Sequence, residues 1–95
     1  MKKMKSILKN NRKIRIQFEL NEQGAQELEK LMEATDVATR KDLFNNALTL
    51  LEWAIKEKRK GRTIASLDEK EQKYKEIEMP ILSRAAKSKV SLVIK

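Results

Sequence analysis

RKIRIQFEL, residues 12–20, alternates strictly between apolar and polar: Ile14, Ile16, Phe18 and Leu20 against Lys13, Arg15, Gln17 and Glu19. That period of two is the pattern of a half-buried strand, and it predicts one over about 13–20. Residues 21–60 read as two helices, so before residue 60 this strand has no companion. A lone strand can neither satisfy its edge hydrogen bonds nor cover its apolar face. The simplest solution is a second copy of the same strand from a second subunit. The pair makes a two-stranded antiparallel ribbon with Lys13, Arg15 and Gln17 of each copy on its open face. Cationic and amide side chains on a ribbon of that width suit the DNA major groove.

Outward from the strand, Asn21 is placed to cap a helix, and Glu22, Glu27 and Glu29 put acid early in it, as the helix dipole favours. Ala25, Leu28, Leu31 and Met32 give it an apolar stripe, and it is expected to end near Ala34, after a first turn slightly weakened by Gly24. Thr35-Asp36-Val37-Ala38 is a short connector. Thr39 opens a second helix, with Asp42 at capping-box spacing. Leu43, Phe44, Ala47, Leu48, Leu50, Leu51, Ala54 and Ile55 cover much of its circumference, which predicts burial on more than one side. In a chain this small the other side must be another subunit. The cations of Lys56–Lys60 suit a helix C-terminus, and Gly61 is the expected stop.

Charge points the same way. The 95 residues carry 22 Lys and Arg against 14 Asp and Glu, a net of +8, which favours an anionic partner. Residues 1–20 hold seven bases and one acid, residues 21–38 one base and five acids, and residues 39–62 seven bases and three acids. The positive charge is therefore concentrated on the strand with its leader and around the second helix. Residues 1–11 form a Lys-rich leader, expected to be mobile. Lys2, Lys3, Lys5 and Lys9, with Arg12, are either a solubilising tail or an auxiliary arm for phosphate. The leader has no apolar run long enough for a signal peptide, and no stretch approaches the ~18 apolar residues of a membrane span. A cytoplasmic protein is the expectation. The chain has no Cys, so no disulfide framework exists.

Residues 62–95 read as an extension carrying short strands. Ile77, Met79 and Ile81 alternate with Glu78 and Pro80, an edge strand because of the proline. Thr63–Leu67 is its candidate partner across the polar stretch Asp68–Lys73, and Val90, Leu92 and Ile94 make a candidate last strand. Trp53 lies off the main apolar stripe and reads as peripheral packing. Tyr74 reads as packing, and residues 56–62, KEKRKGR, as a solvated helix end.

Strand, acidic helix, short turn and long apolar helix within about 50 residues resemble the ribbon–helix–helix superfamily of Arc- and MetJ-type repressors. The resemblance covers roughly residues 12–60 and rests on IRIQFEL running into the Asn21 cap and on TDVATRKDLFNNALTLL. It implies a mainly α fold with a short β ribbon, an intertwined homodimer joined by an intersubunit two-stranded sheet. The domain would span residues 12–61. Carried over by position, the resemblance gives base contacts to Arg15 and Gln17, flanked by Lys13 and Glu19. It gives a phosphate clamp to Ala38, Thr39, Arg40 and Lys41. The family's turn commonly has Gly where Asp36 stands, a residue that tolerates the left-handed region well. Its nickel sensors use His and Cys, and this chain has neither.

Two readings compete at each of these residues. Arg15 and Gln17 are either solvated side chains on an open sheet face or base contacts. The basic leader, the missing partner and the helices downstream favour the second, and Arg suits guanine as Gln suits adenine. Thr39 is a cap in any case; the phosphate role adds the N–H groups of a helix N-terminus, with Arg40 and Lys41 beside them. Catalysis has little to draw on: no His or Cys, two distant glycines, Gly24 and Gly61, and paired carboxylates such as Asp68 and Glu69 only on a polar loop. No enzyme, metal or cofactor is expected. The expected function is sequence-specific repression of transcription by a homodimer on double-stranded DNA, with dimers able to assemble further on DNA. An antitoxin whose residues 62–95 hold a toxin is the rival within DNA binding. Outside it stands a dimeric protein-interaction or membrane-surface module. A membrane binder wants bulky apolar residues on a basic helix, and the leader offers only Met1, Met4, Ile7 and Leu8.

Overall fold

A computed structural model describes residues 12–92. The leader with Lys2, Lys3, Lys5 and Lys9, and Ile94 of the expected last strand, lie outside the described residues. The order of elements is helix α1 (Glu22–Thr35), helix α2 (Arg40–Arg59), strands β1 (Ala65–Asp68) and β2 (Lys73–Glu76), and helix α3 (Pro80–Lys87). The described residues are thus mainly helical with one two-stranded antiparallel sheet. Two compact units divide it, Met1–Lys30 and Leu31–Lys95.

The strand expected over 13–20 is not a strand here. Residues 12–21 carry no helix, turn or strand, so among the described residues the first regular element is α1 and helices precede the sheet. The physical reason is that a strand exists through its ladder, and the partner expected for this one is a second copy. The apolar residues stay exposed: Ile14 at 73%, Ile16 at 67%, Phe18 at 68% and Leu20 at 53%.

α1 starts as expected. The Asn21 side-chain oxygen accepts the Gly24 N–H at 2.7 Å, and the Asn21 carbonyl accepts the Ala25 N–H at 2.9 Å. Gly24 gives room for this. A Cβ there would stand 3.1 Å from that same cap oxygen and 3.5 Å from the Cβ of Leu20. The far end closes on Asp36, at φ 54. The Asp36 N–H reaches the Glu33 carbonyl and the Val37 N–H the Met32 carbonyl, at 3.2 and 3.3 Å, the two bonds of a Schellman ending. α1 buries none of its residues, and Leu28 and Met32 of its stripe are only half-exposed.

α2 ends the same way. Lys60 is its C-cap and Gly61 takes φ 80. The Gly61 N–H bonds the Lys58 carbonyl and the Arg62 N–H the Glu57 carbonyl, each at 3.0 Å. Burial of α2 on more than one side is not met within the single chain. α3 packs on α2, Ala54 and Leu82 are the buried apolar residues among those described, and Leu48, Leu50 and Trp53 stay about half-exposed or more.

The C-terminal part differs from expectation in register and type. β1 overlaps the expected first strand at Ala65–Leu67 and adds Asp68, but it pairs with 73–76 rather than 77–81: Ala65 faces Glu76, Ser66 faces Lys75, Leu67 faces Tyr74 and Asp68 faces Lys73. The polar stretch makes a tighter turn than its composition suggests. The Asp68 carboxylate accepts the Glu71 N–H at 3.3 Å, and Gln72 takes φ 56. Pro80 does not mark an edge strand; it opens α3, where its fixed φ is preorganised and its missing N–H costs nothing. Tyr74 is not packed but 64% exposed, beside Leu67 at 75%. Residues 90–92 form no strand. Among the described residues the hairpin packs against no helix.

Candidate nucleic-acid interface

Lys13, Arg15 and Gln17 are all exposed, as are Arg12 and Glu19. The alternation that places them opposite Ile14, Ile16 and Phe18 acts only once the segment is extended and paired. In a single chain both sets of side chains meet water.

Ala38, Thr39, Arg40 and Lys41 are consecutive, exposed and gathered at the start of α2. Thr39 is extended, at φ −134 and ψ 156, and its hydroxyl oxygen accepts the Asp42 N–H at 3.0 Å. That is the cap the capping-box spacing predicts. The Thr39 carbonyl also accepts the Leu43 N–H at 3.2 Å. The first N–H groups of a helix point out of its end, and the aligned peptide dipoles give that end partial positive charge. Lys41 adds a full charge there and Asp42 subtracts one. The base-contact group and the phosphate group belong to different compact units, 13–17 in the first and 38–41 in the second.

Sequence reading missed the work done around the end of α2. Residues 56–62 are not simply solvated. Arg59 donates from Nε to the Ala85 carbonyl and from Nη1 to the Val90 carbonyl, both at 2.9 Å. One guanidinium therefore holds both the last turn of α3 and the segment after it. Its fork of donors is the reason Arg rather than Lys does this. Glu57 accepts from Arg62 Nη1 at 3.0 Å and lies 3.7 Å from Lys60 Nζ. The hydrogen bond from Arg62 holds the Glu57 carboxyl below its ordinary pKa, helped by the charges of Arg62 and Lys60. A Schellman ending often joins its third-last and second-following residues by an apolar contact. Here an ion pair does it. The five-residue spacing of Glu57 and Arg62 across a glycine was the available signal.

Among the described residues no group of acidic, His or Cys side chains is placed to hold a metal ion, and no helix is long and apolar enough to cross a membrane. Comparison with models of protein families, with characterised proteins and with solved structures finds no match to the chain.

Proposed function

We propose that the chain is a sequence-specific DNA-binding protein of the ribbon–helix–helix type, acting in the cytoplasm as a homodimeric transcriptional repressor. The observation that carries this reading is the segment 12–20. It exposes four large apolar residues on one parity and Lys13, Arg15 and Gln17 on the other, directly before a capped helix. Two such segments paired across a two-fold axis cover one another's edges, press their apolar rows onto the helices, and leave the cationic row outward. The meagre burial within one chain supports the same need. Among the described residues only Ala54 and Leu82 are buried.

In this mechanism the ribbon enters the major groove. Arg15 bonds the edge of a guanine, Gln17 that of an adenine, and Lys13 extends the contact along the groove. Ala38 to Lys41, at the start of each α2, take a backbone phosphate on either side, with Arg12 and the leader lysines adding non-specific attraction. Occupancy of the site excludes polymerase. No cofactor enters. Selection of binding sites from a random duplex pool tests the reading: it expects enrichment of a two-fold symmetric site, and a pool that stays random after several rounds refutes it.

A second reading, an antitoxin whose residues 62–95 hold a protein partner, is favoured by one observation, the exposed Leu67 and Tyr74 of the hairpin. It predicts a small protein that co-purifies with the chain and leaves when those residues are truncated.

A further inference from the structure

A two-stranded hairpin is marginal in water unless a third strand or a helix supports it. β1 and β2 have neither among the described residues, and their Leu67–Tyr74 pair faces solvent. The two free edges are chemically unlike. β2 reads Lys73-Tyr74-Lys75-Glu76, and lysines on an edge strand repel an incoming strand. β1 reads Ala65-Ser66-Leu67-Asp68 and has no cation.

The phase of the ladder says which groups those edges offer. The Ile77 N–H bonds the Ile64 carbonyl at 2.8 Å. Counting by twos along the register makes Ser66–Lys75 a hydrogen-bonded pair and leaves Ala65–Glu76 and Leu67–Tyr74 as unbonded pairs. The N–H and carbonyl of Ala65 and Leu67 therefore point to the open edge of β1, and those of Tyr74 and Glu76 to the open edge of β2. A two-fold pairing of β1 with itself that uses these groups centres on Ser66. Ala65 of each copy then exchanges bonds with Leu67 of the other, Ser66 meets Ser66, and no like charges oppose. The equivalent pairing of β2 centres on Lys75 and sets Lys75 against Lys75, which is unfavourable.

We infer that the β1 edge is a self-association surface: two copies pair their β1 strands antiparallel about Ser66, giving a four-stranded sheet in the order β2, β1, β1, β2. On one face, Tyr74 and Leu67 of one copy continue into Ala65 of the other, so an apolar strip crosses the new seam. Four residues per strand fall far short of the ~1,000 Å² of a stable interface. The pairing therefore adds to the homodimer proposed above and rests on it for effective concentration.

The chain has no Cys, so single cysteines report the pairing without background. Facing residues of an unbonded antiparallel pair stand about 4.5 Å apart at Cα, within reach of a disulfide. Ser66→Cys is expected to form a covalent dimer under mild oxidation roughly tenfold or more faster than Asp68→Cys, two residues off the axis, or Lys73→Cys on the guarded edge. Equal rates for the three variants, or no cross-link in Ser66→Cys, overturn the pairing. So does a different protein that co-purifies with Ser66→Cys and shields its thiol. Sedimentation of Ser66→Cys under reducing conditions reads the ribbon dimer separately. A reduced dimer that fails to cross-link overturns only the hairpin pairing, whereas a reduced monomer overturns the ribbon reading.

Discussion

Ile16→Ala separates a paired ribbon from a solvent-exposed segment. In one chain Ile16 is 67% exposed. Were that its final environment, truncation would be a surface change, within about 0.5 kcal/mol. In the ribbon the exposed two-thirds is covered. Full burial of an Ile stabilises by about 1.5–3 kcal/mol, so the covered share amounts to roughly 1–2 kcal/mol per copy. Both copies carry the change, which makes about 2–4 kcal/mol per dimer. At 1.4 kcal/mol per tenfold, the dimer dissociation constant should rise by roughly 30- to 700-fold. The assay is sedimentation equilibrium of wild type and variant over a wide concentration range, with thermal melts at the same concentrations. Wild type should melt higher as concentration rises, because folding and association are one event. The variant should need far more protein to reach the same Tm. A wild-type melt independent of concentration, or an Ile16→Ala dimer as tight as wild type, refutes the reasoning.

Three further outcomes are expected. Duplex binding should weaken on the order of a thousandfold or more between 50 and 200 mM salt if six or more phosphates are engaged, and Lys41→Ala should flatten that slope, by titration at several salt concentrations. Gln17→Ala should cost roughly 1–3 kcal/mol on a selected site and less on a scrambled one, with the melt unmoved; an unchanged ratio of the two affinities would show that the ribbon does not read bases. Glu57, with its folded pKa depressed, contributes stability present above its ordinary pKa and lost as pH falls through the folded value. Acid melts should therefore show Arg62→Ala losing less stability than wild type between pH 7 and pH 3.

The first two helices were legible because their signals are local, whereas α3 was read as an edge strand. Asn21 and Thr39 each cap through their own side chain to an N–H three residues on, and Gly61 ends α2 by taking a φ that few residues adopt. Such geometry is written within four or five residues. Asp36 fills the same role at the end of α1, at φ 54, where a glycine is commoner. The hairpin was half legible. β1 overlaps the expected first strand, but alternation at Ile77, Met79 and Ile81 drew the second strand too far along the chain. The decisive terms were the Asp68 turn and the fit of Pro80 to a helix start. Arg59 was not legible at all, since its partners are carbonyls 26 and 31 residues away, and a carbonyl has no signature in sequence. The site residues divide likewise. The cluster at 38–41 follows from the Thr39 cap, while residues 13–17 carry no regular structure here, and the pairing proposed for them needs a second chain.

The cap at Asn21 also bears on how such a chain can change over evolutionary time. Leu20 is the last apolar residue of the alternating segment, Asn21 both ends that segment and caps α1, and Gly24 lets Leu20 and the cap oxygen lie close. There is no spacer in which an added residue could be absorbed. In the proposed ribbon, one residue inserted between Leu20 and Glu22 would either abolish the cap or rotate the alternating segment by one position, exchanging its outward and inward rows. The joint therefore acts as a phase lock. In the proposed ribbon, substitutions at 13, 15 and 17 would alter the outward row alone and so change specificity, while the length of the chain from residue 14 to residue 24 would be held fixed.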